Sequence, residues 1–313
     1  MSFKRITGLF LFLFIGLFSI HLFGIIEENF LASSENFQAE NGHSFLPIDN
    51  LKNALNTLIK DQKGRVGLFF QELASPRSTI SIDDAALFNP ASVIKIPVMA
   101  VVYAEVEGGN LRLTDTLKIT KTNRVGGAGI LQFQRPGSVY SVEELIERMI
   151  IDSDNTATKM LIEKITPGII NGYMKEWGLT DTFIAESNLL KANGRNFTTP
   201  RDMGILLAHI YERKRIPKWA SYQMIELLGK QRFRKGIPRY LPKEIHISNK
   251  TGTLNGVKHD CGIVFFQESP YVLSIFTSEF SSARKGEELV ALLSKEIYEW
   301  EKQKNQVEEA PLF

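Results

Sequence analysis

Asn89–Val106 reads NPASVIKIPVMAVVYAEV, and the character of the chain changes there. Pro90 opens the stretch, and Ala91–Val106 carries a helical period. Before it the period is two. Val66–Leu73 and Ser78–Ile82 read as paired strands, with Ser75-Pro76 in the turn. Ahead of them, Asp49 is placed to cap a helix running to about Gln62, with Leu51, Leu55, Leu58 and Ile59 on one stripe. After it the chain stays helical. Ser141-Val142-Glu143-Glu144 forms a capping box for a helix to about Ile150. Asn155–Ile165, Pro167–Trp177, a helix from Thr199-Pro200 to about Arg213, and Lys218–Leu228 follow. Strand signals return at Ile245–Lys250, Gly262–Gln267 and Tyr271–Thr277, and a long helix over Ala283–Trp300 closes the pattern.

The order is therefore helix, strands, helical block, strands, helix. No strand–helix–strand repeat is evident, which argues against a doubly wound parallel sheet. The expected class is α/β of the α+β kind: an antiparallel sheet flanked by the first and last helices, with an inserted all-α lobe. The α/β lobe is expected at about 47–88 and 215–302, and the α lobe at about 89–214. Clefts between such lobes favour functional sites.

The ends read differently. Lys4 and Arg5 precede Ile6–Ile26, 21 residues without a formal charge. As a helix that run would span about 31 Å, the thickness of a hydrocarbon core. Residues 1–26 are thus expected to be a membrane anchor or a signal peptide, with the positive flank cytoplasmic and the rest of the chain exported. No A-x-A cleavage site follows, and Leu31-Ala32-Ser33-Ser34 is the nearest candidate. If cleavage occurs, the product is secreted or periplasmic. Residues 27–46 are polar and read as a tether. The charged stretch Lys302–Phe313 is expected to fray, with 303–313 as a tail.

Composition removes whole classes of function. The 313 residues carry 37 Lys plus Arg and 35 Asp plus Glu, a net charge of +2, and so no electrostatic footprint for nucleic acid. One cysteine, Cys261, excludes an intrachain disulfide, a cysteine zinc site and an iron–sulfur cluster, and leaves no thiol near the N-terminus for a lipid. Cys261 begins an apolar strand, where a thiol behaves as a small hydrophobe. His21, His43, His209 and His246 show no metal spacing.

Three short motifs carry the chemistry. Ser92 and Lys95 stand at i and i+3 at a helix start, so hydroxyl and amine meet on one face. A hydroxyl is a weak nucleophile until a base takes its proton, and an amine of lowered pKa can do so. The helix N-terminus favours the negative charge that develops. Ser282–Lys285 has the same spacing and reads as an ordinary helix start. Ser153-Asp154-Asn155 lies in a turn between helices, where all three residue types also cap well. Lys250-Thr251-Gly252-Thr253 ends a strand, and its glycine lets a ligand approach the backbone.

In this order, separated by 61 and 97 residues, S-x-x-K, S-D-N and K-T-G resemble the motif set of class A β-lactamase-like serine hydrolases, within the penicillin-recognising superfamily. The run Ile247–Val264, ISNKTGTLNGVKHDCGIV, also resembles that family's strand, turn and strand, and the resemblance covers about residues 45–302. It implies an α/β lobe and an all-α lobe with the site between them. Ser92 would be the nucleophile toward a β-lactam or a D-Ala-D-Ala-like peptide. Lys95 would be its base, and Lys250 would lower the Lys95 pKa by like-charge repulsion. Ser153 would pass a proton to the leaving nitrogen, and Asn155 would hold the substrate amide and Lys95. Lys250, Thr251 and Gly252 would form the carboxylate side, and the N–H groups of Ser92 and Thr253 the oxyanion hole. No metal or cofactor is implied, and a monomer tethered through its N-terminal segment is expected.

Deacylation rests on Glu186. Glu186-Ser187-Asn188-Leu189-Leu190 gives E-x-x-L, but Leu190 replaces the asparagine of the family's E-x-x-L-N, and the segment to Thr199 is short. With Glu186 in place the chain would be a β-lactamase. Otherwise it would behave as a penicillin-binding-protein-like DD-carboxypeptidase or transpeptidase, or deacylate slowly. His259-Asp260 does not make a Ser-His-Asp triad, because neighbours on a strand point to opposite faces. There is no G-x-S-x-G elbow. His259 is expected in a structural turn or as a substrate-side contact lining the cleft rim.

Overall fold

The computed structural model describes residues 47–185, 187 and 195–308. The N-terminal run and tether, the five C-terminal residues and Glu186 lie outside the described residues. Those described fall in a single compact unit.

Five antiparallel strands form the sheet: β1 (Arg65–Glu72), β2 (Thr79–Ile82), β5 (His246–Leu254), β6 (Val257–Phe265) and β7 (Tyr271–Ser278). Their order is β2-β1-β7-β6-β5, which leaves β5 at an edge. The period-2 alternation of a strand divides the core in two. From β1, Leu68 and Phe70 pack with α1 (Ile48–Ile59) and α8 (Ala283–Glu308). Phe69 between them faces the opposite side and joins the core of the helical lobe.

That lobe is built on α2 (Lys95–Glu107), apolar around its whole circumference and buried on all sides, as a central helix must be. Around it lie α3 (Val142–Ile151), α4 (Asn155–Ile165), α5 (Pro167–Glu176), α6 (Pro200–Glu212) and α7 (Lys218–Gly229). α7 falls in the span expected for the α/β lobe, but Ala220, Met224, Leu227 and Leu228 bury it in the core of the helical lobe. The capping box holds: the Ser141 hydroxyl accepts from Glu144 N–H, and the Glu144 carboxylate accepts from Ser141 N–H. A short hairpin, β3 (Thr116–Lys118) and β4 (Val139–Ser141), interrupts what the periodicity reads as continuous helix. α6 packs directly on the sheet. A Cβ on Gly204 would lie 2.1 Å from Phe69 Cδ1, so only glycine permits that approach.

Three local expectations change. Asp49 does not cap α1; Pro47 holds that position, and Asp49 sits in the first turn, facing the positive end of the helix. Helix α8 runs on to Glu308 instead of fraying after Trp300, because Lys304 folds back onto the buried Glu72 of β1. The Lys250-Thr251-Gly252 motif lies inside β5, not at its end. The strand continues to Leu254 and turns at Asn255-Gly256 into β6.

Candidate active site

Ser92 sits on a tight turn, not in the α-helix proper. Ala91–Ile94 form a 3-10 turn, and α2 begins at Lys95. In 3-10 geometry side chains at i and i+3 eclipse, which sets the Ser92 hydroxyl over the Lys95 amine. The turn is strained and braced. Ala91 has a φ of 45°, a left-handed conformation that disfavours a side chain. Its N–H donates to Asn89 Oδ1, and Val93 N–H donates to Pro90 O.

His259 braces the same turn from below. Thr277 N–H donates to Nδ1 at 3.2 Å, so the ring proton is assigned to Nε2, which donates to the Asn89 carbonyl at 2.8 Å. The ring stacks on Phe276 with 4.2 Å between centroids. Burial pushes its pKa down to about 4, so it stays neutral. His259 is thus a strut under the Ser92 turn, not a residue of the cleft rim. Asp260, its neighbour, points to the other sheet face and accepts from Asn249 Nδ2 and Ile237 N–H.

Two lysines are wholly buried beside a half-buried serine: Lys95 and Lys250 are both 0% exposed. Lys95 Nζ lies 3.1 Å from Ser92 Oγ, 2.6 Å from Ser153 O, 3.1 Å from Ser153 Oγ and 2.9 Å from Asn155 Oδ1. Asn155 Nδ2 donates to Gly126 O at 2.9 Å, which fixes Oδ1 toward the lysine. A carbonyl and an amide oxygen only accept. They take two amine protons, all that a neutral amine has, and its lone pair is left for the hydroxyls. The amine is held well below the usual lysine range, first by burial and then by the charge of Lys250, against the pull of Asp154.

Ser153 joins the two lysines. It stands at a φ of 56° in the turn before α4, and Asp154 caps that helix by accepting from Ala157 N–H. Lys250 Nζ reaches Ser153 Oγ at 3.1 Å from the side of the sheet. Burial lowers the Lys250 pKa to about 7, with Asp260 opposing the shift and Lys258 adding to it. Gly252 lies flat against the Ser92 turn. A Cβ there would meet Pro90 O at 3.0 Å, Ala91 Cβ at 3.1 Å and Ser92 N at 3.2 Å. Thr253 is exposed, and Lys258 Nζ lies 3.2 Å from its hydroxyl.

The structure therefore gathers Ser92, Lys95, Ser153, Asn155, Lys250, Thr251 and Gly252 at one place, with Thr253 following on the same strand. Glu186 lies outside the described residues. Motif reading did not find Gln231, whose side chain seats Thr251, nor the role of His259. Cys261 is buried, with its sulfur 3.2 Å from Ser274 Oγ, and burial pushes its thiol well up. Among the described residues no helix is long and apolar enough to cross a membrane.

A five-stranded sheet whose edge strand presses a lysine and a glycine onto a Ser-x-x-Lys turn is the arrangement of the penicillin-recognising serine enzymes, with the β-lactamase/transpeptidase fold. Within that class the chain belongs to the beta-lactamase enzyme family, whose model matches residues 50–300. Solved relatives agree. The structure of PBP-A superposes with a TM-score of 0.78 at 28% identity, covering 86% of this chain and 100% of that one. A β-lactamase from Sphaerobacter thermophilus gives 0.74 at 25% identity, over 80% and 96% of the two chains. Among characterised proteins, β-lactamase VEB-1 of Pseudomonas aeruginosa is 23% identical over 74% of this chain and 83% of its own. The D-alanyl-D-alanine carboxypeptidase DacC of Escherichia coli is 33% identical over 129 residues, 38% of this chain and about a third (32%) of that protein.

Proposed function

We propose that this protein is a serine hydrolase of the class A β-lactamase type, opening β-lactam rings through an acyl-enzyme on Ser92. One observation carries the reading: Ser92, Lys95, Ser153 and Lys250 form a single hydrogen-bonded line of nucleophile, amine, relay hydroxyl and cation. The neutral Lys95 amine accepts the Ser92 proton as Oγ attacks the lactam carbonyl carbon. The charge that develops on the carbonyl oxygen is met by the N–H groups of Ser92 and Thr253. As the C–N bond breaks, Ser153 gives its proton to the leaving nitrogen and is reprotonated by Lys95. The proton taken from Ser92 is thereby accounted for, and Lys95 returns to its neutral form. Lys250 and Thr251 hold the substrate carboxylate. Asn155 has one Nδ2 proton on Gly126 and keeps the other for the acyl side-chain amide.

Glu186 is assigned to activate the water that releases the acyl group. A second reading has a specific motive: Leu190 replaces the asparagine of the deacylation pattern, and the relatives include a D-alanyl-D-alanine carboxypeptidase and PBP-A, of which one mutant was solved as an acyl-enzyme with penicillin G. In that reading Ser92 attacks a D-Ala-D-Ala-like peptide, and a β-lactam is held as a long-lived ester. In both readings the chain acts outside the cytoplasm, as a monomer held through residues 1–26 or released from them.

The test is acylation by benzylpenicillin followed by intact mass, together with nitrocefin turnover, using Ser92→Ala as control. An adduct with turnover, converted to a trapped adduct by Glu186→Gln, supports the first reading. A lasting adduct without turnover, with release of D-Ala from a pentapeptide, supports the second. Folded protein that neither turns over nitrocefin nor gives an adduct, with Glu186→Gln giving none either, overturns both.

A further inference from the structure

The connection after α7 sets one side chain against the open edge of β5. Gln231 is 2% exposed. Its Nε2 donates to the Asn249 carbonyl, and the Thr251 hydroxyl donates to its Oε1 at 3.0 Å. The orientation of the amide is fixed by chemistry. The Asn249 carbonyl only accepts, so Nε2 must face it, and Oε1 is left facing Thr251. Oε1 also only accepts, so the single hydroxyl proton of Thr251 points at Gln231.

This matters for the substrate. A carboxylate is likewise only an acceptor. It finds protons on Lys250, but the Thr251 proton is already committed. To bind it, the hydroxyl must turn from Gln231 and leave Oε1 without a partner in a buried place, which is unfavourable.

We infer that Gln231 sets the affinity for the substrate carboxylate by holding the Thr251 proton in the resting site. It is a positioning residue, acting through Thr251. The inference rests on the carboxylate role given to Thr251 above. In the free enzyme Lys250 supplies the first hold, and Thr251 joins only when the carboxylate displaces Gln231. The same side chain closes the free edge of β5, which otherwise presents an unpaired carbonyl at Asn249.

The experiment follows acylation by benzylpenicillin over a range of concentrations, separating the apparent dissociation constant from the limiting acylation rate. Gln231→Met keeps the length of the side chain and removes the acceptor. It is expected to lower the dissociation constant roughly fivefold, the size of one neutral hydrogen bond, with the gain in that constant and not in the limiting rate. Gln231→Glu keeps the acceptor and adds negative charge, so it should raise the constant. A residue that only clamps the strand edge would loosen binding in both variants. In a Thr251→Val background the effect of Gln231→Met should vanish. Gln231→Leu carries the same expectation if the methionine variant does not fold. An unchanged or raised constant in Gln231→Met, or a gain that survives Thr251→Val, overturns the inference while leaving acylation at Ser92 intact. Absence of acylation in the unmodified protein overturns both.

Discussion

Lys95 meets Ser153 twice, through the carbonyl oxygen at 2.6 Å and the hydroxyl at 3.1 Å. A φ of 56° at Ser153 turns both groups toward the amine, a backbone conformation that few non-glycine residues adopt. Ser153→Ala removes one contact and keeps the other. Lys95 stays tied by the carbonyl, and the fold persists, but the proton route to the leaving nitrogen is cut. Acylation by benzylpenicillin should slow by roughly 10²–10³-fold, within the range of a lost general acid. Mass spectrometry against time reads the rate, and a melting curve checks the fold. Acylation at the unmodified rate would remove Ser153 from the relay.

Lys250 makes substrate binding sensitive to pH. Burial brings its pKa down to about 7, so its charge is present below that pH and lost above it. A bound carboxylate needs the charge. The dissociation constant for benzylpenicillin should therefore rise as pH increases from 6 to 8.5, whereas Lys250→Arg, which cannot lose its proton, should give a flat profile. The limiting acylation rate does not fall over that range, because it needs Lys95 neutral and rising pH favours the neutral amine. A dissociation constant independent of pH in the unmodified protein would contradict the assignment.

The candidate site residues are legible because their spacing is chemical. Ser92 and Lys95 share a face whether the turn is 3-10 or α, and Ser153 and Asn155 flank a helix cap that the residue types announce. What spacing cannot show is which groups lie beneath them. Alternation on a strand puts His259 and Asp260 on opposite faces, yet the burial of His259 under Asn89 depends on Phe88, in the segment leading into the turn, and on Phe276, its register partner on β7. Gln231 stands among Lys230, Arg232 and Arg234 and carries no motif, so only the β5 edge beside it gives it a role. The extent of β5 could have been read. Asn255-Gly256 is a hairpin signal, and Gly256 has a φ of 68°, but Thr251 and Gly252 look like a strand end when taken alone. The last turns of helix α8 read as a fraying tail because they are charged, and the residue that holds them, Glu72, lies far away in the sequence on β1.

Gly252→Ala tests the fit between the sheet and the Ser92 turn. Its Cβ would fall within 3.0–3.2 Å of Pro90 O, Ala91 Cβ and Ser92 N, all on the braced turn and none on a flexible side chain. Either β5 or the turn must move by a few tenths of an ångström, and the N–H groups of Ser92 and Thr253 then diverge. Acylation should fall by about 10-fold to 10²-fold, as expected for a small misplacement of reacting groups. The loss in stability should be about 1–3 kcal/mol, as for a side chain forced into a packed site. Urea unfolding and acylation kinetics measure the two separately. A variant acylated at the unmodified rate would show that the contact between Gly252 and the turn does not set the oxyanion geometry.

His259 should leave a mark on stability in acid. Its pKa is about 4 in the folded protein because burial penalises the charged ring, against about 6.5 for an exposed histidine. The unfolded chain therefore binds a proton between pH 6.5 and 4 that the folded protein refuses. Stability is full above about pH 6.5 and is lost as pH falls through that window, by about 3 kcal/mol in all. Asp202 and Asp260, both raised to about 6 by burial, act in the opposite direction over an overlapping range. They are common to any pair of proteins that differ only at His259, so a difference measurement removes their direct contribution. His259→Gln should be less stable than the unmodified protein at pH 7, where the ring packs on Phe276 and bonds Asn89. That gap should narrow steadily toward pH 4, because only the histidine protein suffers the protonation loss. Urea midpoints taken at half-unit steps from pH 4 to 7 give the profile. A gap independent of pH would mean that the folded ring takes its proton over the same range as the unfolded one, and burial would then not be what keeps the strut beneath Ser92 neutral.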